Sequence, residues 1–171
     1  IQRRHQKIIE EAPSSVVSTK LRNEMGEQAK ALAKEVGYQS AGTVEFIVDQ
    51  KNNFYFLEMN TRLQVEHPVT EEITGIDLVE QMIRIADGQK LKIRQEDVKV
   101  IGWSMEARIY AEDPINKFLP SVGRVKKYIE PKVEKNVRID SGIIDGSEVS
   151  VNYDPMLAKL IVKGKNRKQC I

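Results

Sequence analysis

The sequence predicts an α+β fold, with helices and one hairpin in the first half and short strands in the second. Apolar residues recur at helical spacing over about 20–36 and about 77–87, and a glycine follows each stretch. Between these helices, residues 41–60 alternate around a turn-forming segment near 50–53, as expected for a β-hairpin. From Trp103 onward the chain divides into short strand-like segments, so helices and strands are segregated along the sequence.

Size and charge restrict the classes of function. The chain has 171 residues, and its Lys+Arg 27 nearly balance its Asp+Glu 25, which fits one domain or parts of two. No block of like charges suggests a nucleic-acid partner, and no apolar run is long enough to cross a bilayer. We therefore expect neither a nucleic-acid nor a membrane partner. The single cysteine, Cys170, excludes an intrachain disulfide and is compatible with a reducing compartment.

Local signals define the elements of the first half. Residues 2–9 alternate in the manner of a strand. Ser18 or Thr19 is a suitable N-cap for the first helix, and Gly37 ends it. The second helix ends at Gly88 in the same way.

A polar, Lys-rich connection over residues 90–102 predicts a boundary between two domains, 1–89 and 103–171. In the second domain, strands are expected in WSMEARIYAE, GRVKKYIE, NVRID and LAKLIVKG. The chain begins at Ile1 within a strand-like segment, and its last residues resemble the first turn of a helix. These features favour the interpretation that the sequence is a fragment of a longer protein.

The hairpin brings two carboxylates together. If its turn has four residues, Asp49 pairs with Phe54, and Glu45 falls opposite Glu58. Like charges in a cross-strand pair repel each other, and a cation between them removes that cost. Asn60 adds an amide oxygen on the same face, and three oxygen ligands favour Mg²⁺ or Mn²⁺ bound with a nucleoside triphosphate. A solvated sheet face, with both glutamates in water, is the alternative.

Polar residues continue at alternate positions beyond the hairpin, as Arg62, Gln64 and Glu66. Pro68 disfavours helix at His67, so we expect an extended segment in which same-side residues are roughly 6.6 Å apart. A guanidinium beside a metal–phosphate site suits a small planar anion, and a carboxylate at its far end can serve as a general base. The alternative is a surface ion pair between Arg62 and Glu66, which would stabilise the protein little.

The string EMNTRLQVEHPVTE, at 58–71, resembles the biotin carboxylase component of biotin-dependent carboxylases, members of the ATP-grasp superfamily. The blocks QRRHQKIIEEAP, EARIYAEDP, FLPSVGRV and YDPMLAKLI are similar to the same component, so the resemblance covers essentially the whole chain. Within the family, SAGTVEF and VRIDSGI are most similar to the α subunits of propionyl-CoA carboxylases. Acetyl-CoA, methylcrotonyl-CoA and pyruvate carboxylases use nearly the same module.

This resemblance implies a fold and a reaction. Residues 1–89 would be the C-terminal part of an ATP-grasp domain, and residues 103–171 a truncated, β-rich biotin carboxylase C-terminal domain. The reaction would be ATP- and bicarbonate-dependent carboxylation of biotin through carboxyphosphate. The family's Gly-rich lid is not recognisable, because the ten glycines are scattered with no adjacent pair. We therefore expect the metal, bicarbonate and base half of a site, inactive alone.

The resemblance also implies roles for individual residues. Arg62 would bind bicarbonate, Glu66 would deprotonate it, and Arg108 would stabilise the enolate of biotin. The implied metal ligands are Glu45, Glu58 and Asn60, and the implied ATP contacts are Gln2, His5, Glu45 and Glu58. The implied bicarbonate and biotin contacts are Lys7, Arg62, Gln64, Val65, Arg108 and Asp154.

Several of these residues also have ordinary structural explanations. Arg108 shares a strand face with Glu106, so the two could form an ion pair. His5 could be a packed histidine, and Lys7 a solvated strand residue. His67 lies outside the alternating set and before a proline, which favours a structural role.

The implied partners are ATP, bicarbonate, a biotin carrier domain outside this chain, a carboxyltransferase subunit and further copies in a homo-oligomer. The compartment would be the cytoplasm in bacteria and the mitochondrial matrix in eukaryotes. Two other classes of protein stay open at this point. One is a different ATP-grasp carboxylate–amine ligase, and the other is a non-catalytic assembly domain.

Overall fold

The structure is a computed structural model that describes residues 1–132 and 135–171. The chain forms two compact units, one of residues 1–12 with 102–171 and the other of residues 13–101. Residues 1–12 thus group with the second half, because their last strand pairs with a strand that begins at Trp103. The domain boundary at 90–102 stays a prediction.

The elements follow in chain order. The first are three short strands, β1 (Gln2–Arg3), β2 (Gln6–Lys7) and β3 (Ile9–Ala12). The next are α1 (Thr19–Glu35), β4 (Thr43–Val48), β5 (Phe54–Asn60), α2 (His67–Thr74), α3 (Leu78–Ala86) and a 3-10 turn (Gln95–Asp97). The last are β6 (Trp103–Tyr110), β7 (Glu112–Asp113), β8 (Leu119–Pro120), β9 (Gly123–Arg124), β10 (Val137–Ser141), β11 (Glu148–Val149), β12 (Met156–Gly164) and α4 (Arg167–Cys170).

Helices α1 and α3 both begin at capping side chains, and a cap at Ser18 was predicted for α1. The hydroxyl of Ser18 accepts a hydrogen bond from Leu21 N at 3.2 Å, which satisfies a free amide in the first turn of α1. Asp77 does the same for α3, accepting from Glu80 N at 2.8 Å. Among the described residues, no helix combines the length and apolarity needed to cross a membrane.

The β4–β5 hairpin changes register halfway along its length. Near the loop, Val48 pairs with Phe54, so the connection has five residues and the predicted four-residue turn is wrong. The carboxylate of Asp49 stabilises this longer loop by accepting from Asn53 N at 2.9 Å. Leu57 is then an extra residue on β5, and this bulge restores the predicted register beyond it.

The prediction of one strand over residues 2–9 is wrong. The chain reverses at Arg4 and His5, whose φ angles of 51° and 66° lie in the left-handed region, and β1 pairs with β2. The period-2 pattern cannot reveal such a reversal, because the strands on both sides of the turn keep the same alternation. Tertiary contacts of this short hairpin hold it in place, as described below.

A four-stranded antiparallel sheet, in the order β10-β12-β6-β3, forms the centre of the unit of residues 1–12 and 102–171. Ile161, Ser104 and Glu106 are fully buried on it. The strands predicted in NVRID and LAKLIVKG are confirmed, whereas only the first two residues of GRVKKYIE form a strand. Gly102 directly precedes β6, and its φ angle of 78° is in the left-handed region. A Cβ atom at this position would lie 2.5 Å from the carbonyl oxygen of Gly164, so the position requires glycine.

Candidate functional site

Two glutamates and one asparagine converge on the β4–β5 hairpin. Glu45 and Glu58 are directly paired across the strands. The side-chain nitrogen of Asn60 lies 3.2 Å from Oε1 of Glu45 and 3.0 Å from Oε1 of Glu58. The predicted pairing of the carboxylates, and the position of Asn60 beside them, are therefore confirmed.

The chemistry of this cluster fits a divalent cation. The electropositive NH₂ group of Asn60 bridges the two carboxylates, which is the position where a positive charge is needed. Turning the amide over presents its oxygen to the same point, and the three side chains then form an oxygen donor set suited to Mg²⁺. No group of three or more His, Cys, Asp or Glu residues that could hold a metal occurs in the described part of the chain. A smaller set suits Mg²⁺, which usually completes its shell with phosphate and water.

The segment after the hairpin is not extended, so that prediction is wrong. Strand β5 ends at Asn60, and His67 already belongs to helix α2. Pro68 lies in the first helical turn, where a missing N–H costs nothing. The regular spacing expected from Arg62 to Glu66 therefore does not hold.

Arg62 is exposed on this loop. Its Nη1 donates to the carbonyl oxygen of Leu63 at 3.2 Å. Among residues 1–132 and 135–171, no carboxylate pairs with its guanidinium, so the alternative of a surface ion pair with Glu66 is excluded. The group is thus accessible to an anion.

Gln64 and His67 fix the backbone of the loop. Gln64 is buried, and its carbonyl oxygen lies 2.8 Å from Nδ1 of His67. Nε2 of His67 is 3.9 Å from the buried Glu71, which accepts a hydrogen bond from Leu78 N at 2.8 Å. These contacts support the structural role expected for His67. Within the described residues, Nε2 of Gln64 is buried without a hydrogen-bond partner, which suits a donor that binds a ligand oxygen.

Glu66 occupies the residue before α2. It is half-buried, and its side chain makes no capping bond to the helix. The unpaired N–H groups and dipole of the helix N-terminus favour a negatively charged side chain there. The carboxylate that the sequence predicts to be a base therefore lies on the same loop as Gln64 and Val65.

The β1–β2 hairpin carries three of the predicted site residues. Gln2 is paired with Lys7 across the strands, and His5 is exposed in the turn. Two other residues of the hairpin, Arg3 and Gln6, attach it to neighbouring segments of its own unit. Arg3 forms an ion pair with Glu112 and lies over the Phe118 ring at 3.9 Å, and Gln6 Nε2 donates to the Tyr110 hydroxyl at 3.0 Å. The anchoring role of Arg3 and Gln6 was missed, because no sequence signal identifies partners so distant in the chain.

Arg108 lies on β6 and contacts a carboxylate on the adjacent strand β3. Its Nε donates to Oε1 of Glu10 at 2.6 Å, and its Nη2 forms an ion pair with the same oxygen. Glu106, the partner considered from the sequence, is fully buried two residues away. Sequence reasoning missed Glu10.

Asp154 lies in the turn before β12, where it is exposed and accepts a hydrogen bond from Met156 N at 2.8 Å. The structure therefore brings together Glu45, Glu58 and Asn60, with the loop of Arg62, Gln64, Val65 and Glu66 following directly. Gln2, His5, Lys7, Arg108 and Asp154 belong to the other compact unit. The assembly of the two groups into one site stays a prediction.

Two family models match the chain. The ATP-binding domain of the carbamoyl-phosphate synthase L chain matches residues 1–94, more than half of the chain. The biotin carboxylase C-terminal domain matches residues 106–171.

Curated relatives match along the full length of the chain. The propionyl-CoA carboxylase alpha chain, mitochondrial, of Caenorhabditis briggsae is 62% identical over 100% of this chain and 23% of its own length. The human protein of the same name is 59% identical, over 100% and 24%. The methylcrotonoyl-CoA carboxylase subunit alpha of Rattus norvegicus is 54% identical, also over 100% and 24%. The chain thus spans about a quarter of the length of these relatives.

Solved structures share the fold closely. The biotin carboxylase domain dimer of Hydrogenobacter thermophilus 2-oxoglutarate carboxylase, in complex with MgADP, ADP and bicarbonate, has a TM-score of 0.95 and 48% identity. The match covers 99% of this chain and 37% of that one. The biotin carboxylase subunit of a pyruvate carboxylase has a TM-score of 0.93 and 46% identity, over 99% and 38%.

Proposed function

This chain belongs to the biotin carboxylase family of ATP-grasp proteins, and on that premise we propose that it supplies metal, bicarbonate and biotin contacts to an ATP-dependent biotin carboxylase. The reaction would join ATP and bicarbonate to give carboxyphosphate and ADP, and carboxyphosphate would deliver CO₂ to N1′ of biotin. The observation that carries the proposal is the convergence of Glu45, Glu58 and Asn60 directly before the loop of Arg62 and Glu66. A role in assembly alone requires no such cluster of like charges.

The proposed metal ligands are Glu45, Glu58 and Asn60. Bound Mg²⁺ would neutralise and orient the phosphate oxygens of ATP, and Mn²⁺ is an alternative. Support comes from the amide that already bridges both carboxylates, and from the MgADP in the 2-oxoglutarate carboxylase structure. Gln2 and His5 are proposed ATP contacts on the family resemblance.

Arg62, Gln64, Val65 and Glu66 would form the bicarbonate pocket. The guanidinium of Arg62 has no carboxylate partner among the described residues, and the buried Nε2 of Gln64 offers a further donor to an anion. Glu66 would take the proton of bicarbonate, so that a bicarbonate oxygen attacks the γ-phosphorus while ADP leaves. Lys7 would add positive charge beside bicarbonate.

Arg108 would act in the second half-reaction. Its guanidinium stays charged at all accessible pH values, so it can stabilise the negative oxygen of the biotin enolate without a proton transfer. Carboxyphosphate would break down to CO₂ and phosphate, the phosphate would take the proton of N1′, and N1′ would then form its bond to CO₂. Asp154 is a proposed neighbour of biotin.

The fuller biological role is also a proposal. Since the chain spans about a quarter of its curated relatives, we place it within a longer enzyme, as the propionyl-CoA carboxylase α subunit. The module of acetyl-CoA, methylcrotonyl-CoA or pyruvate carboxylase is the alternative. Partners would include a biotin carrier domain, a carboxyltransferase subunit and further copies in a homo-oligomer; the 2-oxoglutarate carboxylase domain is a dimer. The compartment would be the mitochondrial matrix in a eukaryote and the cytoplasm in a bacterium.

The test is a paired assay on the full-length protein with ATP, Mg²⁺, labelled bicarbonate and free biotin. We expect ADP release that requires bicarbonate, together with labelled carboxybiotin. ATP cleavage that needs no bicarbonate, or that a carboxylate and an amine acceptor stimulate, would instead identify another ATP-grasp ligase.

A further inference from the structure

Arg108 is held at a fixed place by the strand beside it. Its backbone N–H donates to the carbonyl oxygen of Ile8 at 3.0 Å, which joins the start of β3 to the middle of β6. Its guanidinium is bound by Oε1 of Glu10 through Nε, at 2.6 Å, and through Nη2. Both side chains are only 10% exposed, so the ion pair is largely shielded from water.

We propose that Glu10 is a positioning residue that orients the guanidinium of Arg108 toward the biotin oxygen, an inference that rests on the proposed function. Glu10 itself touches neither substrate nor cofactor. It acts through Arg108 alone.

An arginine side chain needs such a partner to serve as an electrostatic catalyst. The long arginine side chain has many rotamers. A mobile guanidinium spends little time beside the negative oxygen of the transition state, so it stabilises that oxygen less than a fixed one does. A nearly buried carboxylate restricts the rotamers and offsets the cost of removing the guanidinium from water. Contact through Nε and one Nη uses two of the five guanidinium donors, so the planar group is oriented as well as held.

A second buried carboxylate makes the charge of Glu10 important. Glu106 is paired with Glu10 across β3 and β6, is fully buried and lies on the same strand face as Arg108. If Glu10 becomes neutral, Glu106 competes more strongly for the guanidinium. Glu10→Gln is therefore expected to shift Arg108 as well as loosen it.

The variant Glu10→Gln in the full-length protein should separate the two half-reactions. We expect carboxybiotin formation to fall roughly ten- to a hundredfold, the range that a misplaced catalytic group costs. Bicarbonate-dependent ADP release without biotin should stay within about twofold of wild type, because Arg108 does not serve that step. Glu10→Asp, which keeps the charge but shortens the side chain, should give a smaller loss in the same product.

Glu11→Gln is the matched control. Glu11 is the next residue of the same strand and is also engaged in tertiary contacts, accepting from Trp103 Nε1 at 2.9 Å and from Arg167 Nε at 2.7 Å. It points to the other face of the sheet, away from Arg108. This variant should lower the melting temperature but leave the ratio of carboxybiotin to ADP unchanged. If Glu10 had only a structural role, Glu10→Gln would behave in the same way.

A double variant decides whether Glu10 acts through Arg108. In an Arg108→Ala background, Glu10→Gln should cause no further loss of carboxybiotin. A further loss as large as in the wild type, or wild-type carboxybiotin in Glu10→Gln, would overturn the proposal. If Glu10→Gln does not fold, the same criteria apply to Glu10→Asp. An inactive wild type would count against the proposed function, whereas an active wild type with an unaffected Glu10 variant counts against this inference alone.

Discussion

Glu45 and Glu58 face each other across a hairpin, and the side-chain nitrogen of Asn60 lies within 3.2 Å of one oxygen of each. The pairing depends on Leu57, the extra residue that moves Glu58 into register. The amide NH₂ group of Asn60 donates to both carboxylates. The cluster is thus a like-charge pair arranged to receive a positive charge.

Glu58→Gln should change stability in opposite directions with and without metal. In metal-free protein it removes a cross-strand repulsion, which is worth roughly 0.2–1 kcal/mol, so the melting temperature should rise slightly. With Mg²⁺ and ADP, the wild type should gain stability and the variant should gain much less, because one ligand is lost. Thermal denaturation in EDTA and in Mg²⁺ with ADP measures both effects. Glu80→Gln, which removes an exposed partner of Arg84 on α3, should keep the wild-type response to metal; an equal response in Glu58→Gln would argue against metal binding here.

Glu66→Gln in the full-length protein should keep ATP binding and lose bicarbonate-dependent turnover. Glutamine preserves size and polarity but cannot accept a proton at neutral pH, and loss of a well-placed base costs roughly 10²–10⁴-fold. ADP release with bicarbonate and equilibrium nucleotide binding are the two measurements. Near-normal ATP cleavage would mean that another group is the base.

Arg108→Ala should reduce carboxybiotin formation more than bicarbonate-dependent ADP release. The guanidinium is assigned to the biotin enolate, and removing such a group costs roughly 3–4 kcal/mol of transition-state stabilisation. The paired assay of ADP and carboxybiotin compares the variant with the wild type. Equal losses in both products would assign Arg108 to ATP or bicarbonate, or to structure alone.

Asp140→Asn should destabilise the protein at neutral pH but not in acid. Burial raises the pKa of Asp140, but the hydrogen bond and charge of Arg138 and the charge of Lys159 outweigh it, so its pKa is lowered. Because the pKa of Asp140 is lower in the folded protein, its ionised form stabilises the fold at pH values above the unfolded-state pKa of about 3.9. This stabilisation is lost as the pH falls through the folded-state pKa. Melting temperatures of both proteins from pH 7 to pH 3 should therefore converge in acid. A constant difference would show that the asparagine acts through packing and not through charge.

Much of the hairpin site could be predicted because its signals are local. Glu45 and Glu58 lie on strands joined by one short loop, so alternation and a turn place them together. Their pairing was predicted from a four-residue turn that is wrong, and the bulge at Leu57 compensates for the longer loop. The segment from Arg62 to Glu66 was predicted incorrectly. A proline disfavours helix at the residue before it, but it is also favoured in the first turn of a helix, and the second effect decides the structure at Pro68.

The sequence by itself determined the helices over 20–36 and 77–87, the cap of the first, the paired carboxylates and the family, because each depends on residues close together in the chain or on a specific string. Ser18, for example, caps an amide three residues away. Only the tertiary structure decided that Glu10 binds Arg108. Glu10 and Arg108 are 98 positions apart, and the pairing of β3 with β6 that joins them is set by burial over the whole sheet. Local propensity carries no information about which distant strand will become a neighbour, and the contacts that orient a catalytic side chain are of that kind.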